Sequence, residues 1–128
     1  MRADLAVDTL PIIMPLIVLL PGLVILAMAF RAFNALVTVQ RARHPEAWER
    51  DGRPQPFYAA QPDANRSWKS GFATQRCSFV WLFKTPPWVV TDMDALHYLR
   101  RLRLFVGLWN LVVIPALVVS IYIAVLRK

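Results

Sequence analysis

The sequence predicts an all-α membrane protein: two transmembrane helices joined by a basic cytoplasmic connector that carries short helices and an aromatic interfacial segment. Two uncharged apolar blocks, Pro11 to Phe30 and Leu104 to Leu126, carry this prediction because each is long enough to cross a hydrocarbon core of about 30 Å. The third observation is charge, since only 18% of the residues are charged while 57% are hydrophobic. We therefore expect bilayer spans and not one soluble core.

The chain divides into four predicted segments. Residues 1–10 form a polar lead, with Asp8-Thr9 as a helix cap and Pro11 in the first turn, where proline costs little. This lead contains one basic residue, Arg2, and two aspartates, so it lacks the basic region of a cleaved signal peptide. Residues 11–43 form the first transmembrane helix with a cytoplasmic extension, residues 44–90 the connector, and residues 91–128 an amphipathic lead-in helix followed by the second span.

Prolines and glycines place the helix boundaries. Pro21 is expected to bend the first span, and Gly22 after it offers a small surface on which a neighbouring helix can pack. Pro45 disfavours a helical His44 and opens a short helix that stops at Gly52. The proline-rich and glycine-rich residues 52–71 predict an irregular loop. Thr91 is the expected cap of the lead-in helix, with Asp94 as its capping-box partner.

Residues 77–90 form a third apolar patch that is too short to span a bilayer. Its aromatic side chains, among them Trp81 and Trp88, suit the headgroup boundary of a membrane. A small cytoplasmic core beneath the loop is the second interpretation, and the sequence leaves both open.

The distribution of basic residues predicts the orientation. Twelve Lys and Arg residues lie between Arg31 and Arg103, and three lie outside that segment. The positive-inside bias therefore places the connector in the cytoplasm and both termini outside. Basic residues near the spans are predicted to contact anionic headgroups together with the two tryptophans: Arg41, Arg43, Arg100, Arg101 and Arg103.

Three residues of the spans are predicted helix–helix or partner contacts: Gly22, Trp109 and Asn110. A buried amide in lipid seeks a hydrogen-bond partner. Asn110 either joins the two spans, the preferred interpretation, or binds another subunit.

Catalytic and metal motifs are missing from the sequence. His44, Cys77 and His97 are scattered, and no metal-ligand spacing or glycine-rich phosphate loop is present. We predict no cofactor and no enzyme activity. Basic and aromatic residues also suit nucleic acid, but these aromatics adjoin membrane segments, so no nucleic-acid partner is expected.

The chain resembles the universal stress protein B family of small two-span bacterial inner-membrane proteins. The resemblance rests on three motifs: HPEAWERDGRP from His44, FVWLF from Phe79, and DMDAL from Asp92 with the following RRLR. The three prolines of the first span and the longer loop from Tyr58 to Trp68 depart from the family. The resemblance implies a two-span layout in a bacterial inner membrane, which would place both termini in the periplasm. It implies no established biochemical activity.

Two functions from different classes follow. The first is a non-catalytic accessory subunit or assembly factor of a larger membrane complex. The second is a stand-alone, stress-related, lipid-interacting membrane protein, with a homodimer as one form. The sequence does not identify the partner.

Overall fold

Six α-helices and one π-helical turn make up the computed structural model, which describes residues 2–57 and 68–127, with side chains for residues 9–57 and 71–127. No strand occurs in these ranges, so the all-α prediction with two long apolar helices is confirmed. The helices are α1 (Arg2–Arg43), α2 (Pro45–Arg50), α3 (Trp68–Phe83), α4 (Pro87–Val90), α5 (Met93–Leu108), the π-helical turn (Trp109–Val113) and α6 (Ile114–Leu126).

The predicted helix boundaries are correct at some residues and wrong at others. The first helix ends at Arg43 as expected, because the following Pro45 holds His44 at φ −131° and ψ 60°. Its expected start at Asp8-Thr9 is wrong, since α1 already begins at Arg2. The loop expected over residues 52–71 is irregular from 52 to 57, whereas its last four residues belong to α3 and residues 58–67 lie outside the described ranges.

The chain folds as two compact units. The apolar unit comprises Met1–Ala27 and Phe105–Lys128, and the connector unit comprises Met28–Leu104. The connector unit is therefore longer than the predicted connector, residues 44–90, because it also includes α1 from Met28 onward and α5 up to Leu104.

Within the apolar unit, Gly22 of α1 is buried against the π-helical turn. A Cβ atom built on Gly22 would lie 2.5 Å from Cγ1 of Val113 and 3.2 Å from Cζ3 of Trp109. Carbon atoms do not approach as closely as 2.5 Å, so only glycine permits this contact.

The π-helical turn lies directly before Pro115. The amide of Ile114 donates to the carbonyl of Trp109, five residues earlier, instead of to the usual fourth residue. Pro115 has no N–H to continue the α-helical ladder at the next position. The wider turn accommodates that gap, and helical structure resumes through α6.

The connector unit has a true core. Five elements contribute to it: the end of α1, α3, α4, the start of α5 and the segment after α2. The buried side chains include Phe33, Leu36, Val37, Pro54, Cys77, Trp81, Val89, Ala95, Leu99 and Leu102. Their burial from all five elements means that this unit packs as a small helical domain.

Aromatic rings join the elements of the connector unit. The ring centroids of Phe33 and Trp81 are 5.5 Å apart, and those of Trp81 and Trp88 are 5.8 Å apart in an edge-to-face pair. Phe57, at the end of the described loop, packs 5.0 Å from Phe33. Such distances fall in the favourable range for aromatic pairs.

Side-chain hydrogen bonds fix the loop that follows α2. The Asn34 carboxamide donates to the Phe57 carbonyl (2.8 Å) and accepts from the Phe57 amide (2.6 Å). Trp48 donates to the Pro54 carbonyl at 2.9 Å. Gln55 exchanges bonds with the hydroxyl of Thr74 on α3. The loop backbone is therefore satisfied by partners on three helices.

Candidate interaction sites

The start of α5 is organised by the buried carboxylate of Asp92, whose side chain is 8% exposed. Its Oδ1 accepts from the backbone amides of Asp94 (3.1 Å) and Ala95 (3.3 Å), so Asp92 is the N-cap of α5. The prediction that Thr91 caps this helix with Asp94 as box partner is wrong by one residue. Thr91 instead donates to the carbonyl of Trp88.

Asp92 also connects α5 to the end of α1. Its Oδ2 lies 3.0 Å from Nε2 of His44, and Oδ1 lies 3.1 Å from the guanidinium of Arg43. Arg43 makes a second ion pair, 2.9 Å, with Asp94. Burial opposes the charged form of Asp92, but the bonds from His44, the Ala95 amide and Arg43 together outweigh it and lower its pKa.

Beside this cluster lies a cleft of about 560 Å³. It is lined by Arg43, His44, Pro45, Glu46, Ala47, Arg50, Pro87 and Trp88. Arg43 is already paired with two aspartates. Arg50 and Glu46 add one charge of each sign to the lining. The cleft therefore has no strong preference for an anion or a cation.

Three of the five arginines predicted to contact lipid headgroups contact groups of the protein itself. Arg41 stacks over the Trp48 ring with 5.3 Å to its centroid, and Arg43 pairs with Asp92 and Asp94. Arg103 donates to the carbonyl of Trp81 (3.1 Å) and to the hydroxyl of Thr85 (3.1 Å).

Two of the five remain exposed on α5, namely Arg100 and Arg101. Within the described ranges neither of them forms an ion pair. Arg100 and Arg101 are therefore available to bind an outside partner. The other three arginines, Arg41, Arg43 and Arg103, bind groups of the protein itself.

Trp81 and Trp88 lie in the core of the connector unit, with 2% and 9% of their surface exposed. Of the two interpretations left open for residues 77–90, a small core fits these indoles. Their placement as headgroup contacts needs correction, because both rings are covered by the protein itself. The exposed aromatics of this segment are Phe79 and Phe83.

The contact residues predicted in the spans separate into two groups. Gly22 and Trp109 lie together at the helix–helix contact of the apolar unit. Asn110 is exposed, and its amide donates to the carbonyl of Val106 on its own helix (2.8 Å). The preferred interpretation, in which Asn110 joins the two spans, is therefore wrong for this structure, because the π-helical turn points Trp109 and Val113 at the first helix and leaves Asn110 outside.

The scattered residues considered as metal ligands do not converge. Among the described residues, no group of three or more His, Cys, Asp and Glu side chains is arranged to hold a metal ion. His44 is engaged by Asp92, and His97 is exposed beside Tyr98. Burial, with a smaller effect from Asp51, raises the pKa of the Cys77 thiol to about 12.

Comparison with known proteins gave no match among family models, curated proteins or solved structures. The resemblance to the universal stress protein B family therefore stays a prediction.

Sequence reasoning missed a stripe of phenylalanines on α3. Phe72, Phe79 and Phe83 are spaced by seven and four residues, which places them on one helix face. They are 67%, 65% and 73% exposed. The spacing was visible in the sequence, but Phe72 falls within the stretch predicted to be a loop.

Proposed function

We propose that this chain is a non-catalytic accessory subunit or assembly factor of a larger integral-membrane complex. The observation that supports it is Asn110, a polar residue inside the apolar segment Leu104 to Leu126 that is exposed on the π-helical turn. Only one of its amide hydrogens has a partner among the described residues. An amide exposed within a bilayer gains about 0.6–2 kcal/mol from a partner on another helix.

The surroundings of Asn110 support a lateral protein contact. The exposed face of the π-helical turn continues with Leu111, 78% exposed, and Val112, 56% exposed. Only 11% of the apolar window of each long helix is buried within the chain. Both helices are long and apolar enough to cross a membrane, so their outer faces are available to lipid or to another transmembrane helix.

The polar groups of the connector unit also suit a scaffold. Asp92, Asn34 and Thr74 bond the unit's own backbone, which holds its helices and its loop in place. Such hydrogen bonds give the connector unit a stable surface. The proposed role of the unit is to present that surface to the partner complex.

The test is purification of the tagged full chain in mild detergent, with native mass measurement and mass spectrometry of the associated proteins. The wild type is expected to bring a stoichiometric membrane complex. Asn110→Leu is expected to lose most of that complex while its own melting temperature stays close to wild type. The matched control is Leu111→Ala, which changes the neighbouring exposed residue without touching an amide.

A second candidate is a homodimer of a stand-alone, stress-related, lipid-interacting protein. The same amide favours it, because two Asn110 side chains are self-complementary as donor and acceptor. A native mass of two chains, reduced to one by Asn110→Leu, would support the homodimer and contradict the accessory subunit. A wild-type chain that is monomeric and without companions would contradict the accessory subunit and the homodimeric form, and would leave the stand-alone, lipid-interacting protein as a monomer.

A further inference from the structure

The exposed face of α3 has the composition of a membrane-surface helix. Its three phenylalanines, Phe72, Phe79 and Phe83, lie on one face, with Phe79 and Phe83 packed 5.3 Å apart. Arg76 is exposed and lies on the same face between the first two rings. The opposite face carries Ala73, Cys77 and Trp81, all buried in the connector unit.

The charge of this segment has one sign. The sequence of α3 contains two basic residues and no acidic residue, and Lys84 follows at once and is exposed. Aromatic rings on one side of a helix, with Lys or Arg beside them, are typical of helices that lie in the headgroup layer of anionic membranes.

The connectivity also favours lipid over a soluble partner. The apolar segments of α1 and of α5 with α6 adjoin the connector unit at both of its ends, and both helices are candidate membrane spans. A domain attached to the bilayer at both ends meets lipid headgroups at very high effective concentration.

We propose that the stripe Phe72, Phe79 and Phe83, with Arg76 and Lys84, binds the headgroup layer of an anionic lipid bilayer. The phenylalanines enter the boundary with the acyl chains, and the two cations pair with lipid phosphates. This proposal is independent of Asn110 and of the partner complex.

The experiment places a fluorescent reporter beside the stripe in the full chain. A polarity-sensitive dye is attached to Gln75→Cys, which leaves all three rings intact, in a Cys77→Ala background. The same dye on Glu49→Cys of α2 is the control position. Each protein is reconstituted into nanodiscs of phosphatidylcholine alone or with phosphatidylglycerol, with and without lipids that carry a nitroxide near the headgroup.

The expected result is a blue-shifted emission at position 75 that loses more than half of its intensity to the nitroxide lipids. The quenching should increase when phosphatidylglycerol is present. The Phe79→Ser/Phe83→Ser pair should abolish the blue shift in both lipids, and the Arg76→Gln/Lys84→Gln pair should remove only the increase. Met93→Ser, at an exposed apolar position outside α3, should change neither, and unchanged helicity by circular dichroism shows that each variant is folded.

Two results would overturn the proposal. One is a water-like emission at position 75 that equals the control at position 49. The other is a blue shift that nitroxide lipids do not quench, because a protein surface would then cover the stripe. Equal quenching in the two lipids would show that Arg76 and Lys84 do not bind lipid phosphates.

Discussion

Asp92 holds three structural roles with two oxygen atoms. One oxygen caps α5 and faces Arg43, and the other bonds His44. Loss of an N-cap costs about 0.5–2 kcal/mol, and the half-buried His44 left without its partner adds to that. Stability of the connector unit should therefore depend on this residue more than on any of its exposed charges.

Asp92→Ala is expected to lower the free energy of unfolding by about 1–2 kcal/mol or more, because both the cap and the bond to His44 are lost. The matched control is Asp94→Ala, whose exposed pair with Arg43 should be worth less than about 1 kcal/mol. Hydrogen exchange at the first turn of α5 measures the difference. Equal protection in the two variants would contradict the assigned cap.

The same carboxylate predicts an acid dependence. The pKa of Asp92 is lower in the folded protein than in the unfolded chain, so its ionised form stabilises the fold above about pH 4. That contribution is lost as the pH falls through the folded pKa. Asp92→Asn retains a good cap but no charge, so its melting temperature should fall less steeply with acid than that of the wild type.

The single cysteine gives a prediction about reactivity. Cys77 is 3% exposed and its pKa is raised to about 12, so almost no thiolate is present at neutral pH. We expect a maleimide to leave the folded protein unmodified at pH 7 and to modify it fully in denaturant. The control is an added cysteine at exposed Gln75, which should react at once. Rapid labelling of native Cys77 would show that the core around α3 opens.

At the scale of the elements, two glycines on the long apolar helices offer a matched pair. A Cβ atom on Gly22 collides with Val113, while one on Gly107 meets nothing within 4 Å. Both positions are helical, so the higher helix propensity of alanine would favour a Gly→Ala change at both.

Gly22→Ala should therefore destabilise the helix–helix contact by about 1–3 kcal/mol, as overpacking does elsewhere. Gly107→Ala should be neutral or stabilising by up to about 1 kcal/mol. Thermal unfolding in detergent measures both changes. The double variant Gly22→Ala/Val113→Ala should recover part of the loss, and failure to recover would argue against a direct contact.

The sequence predicts elements well where a single residue decides the local backbone. Pro45 ends α1 and starts α2, and Gly52 takes φ +88° after α2, all as the residue types require. The start of α3 at Trp68 was missed, because proline and glycine around it favoured a loop. The cap of α5 was missed by one residue, since Thr91 and Asp92 are both good caps and only the position of His44 selects between them.

Candidate contact residues were harder to place than helices. The sequence identified Gly22, Trp109 and Asn110 as contact residues. The directions of Trp109 and Asn110 depend on the π-helical turn, which rotates side chains about the helix axis by a fraction of a turn. Trp81 is buried against Phe33 of α1, and Trp88 packs against His44, which follows α1. Both contacts join residues that are distant in sequence, so no local periodicity shows them.

At the scale of the whole molecule, the charge distribution gives a topology that labelling can test. Because 12 of the 15 Lys and Arg residues lie between Arg31 and Arg103, we expect the connector inside and both termini outside. In the Cys77→Ala background, an impermeant maleimide should modify Glu49→Cys only in inverted membrane vesicles. It should modify Arg127→Cys only in right-side-out vesicles. The reverse pattern would contradict the orientation.

The bond between Asp92 and His44 also bears on the order of folding. It closes a loop of 48 residues, and closing a loop of this length costs entropy before any contact compensates. Because the first turn of α5 uses the other oxygen of the same carboxylate, helix initiation and loop closure stabilise each other. We therefore expect α5 to become fully protected only once the end of α1 has docked, so that the connector unit completes its folding in one cooperative step.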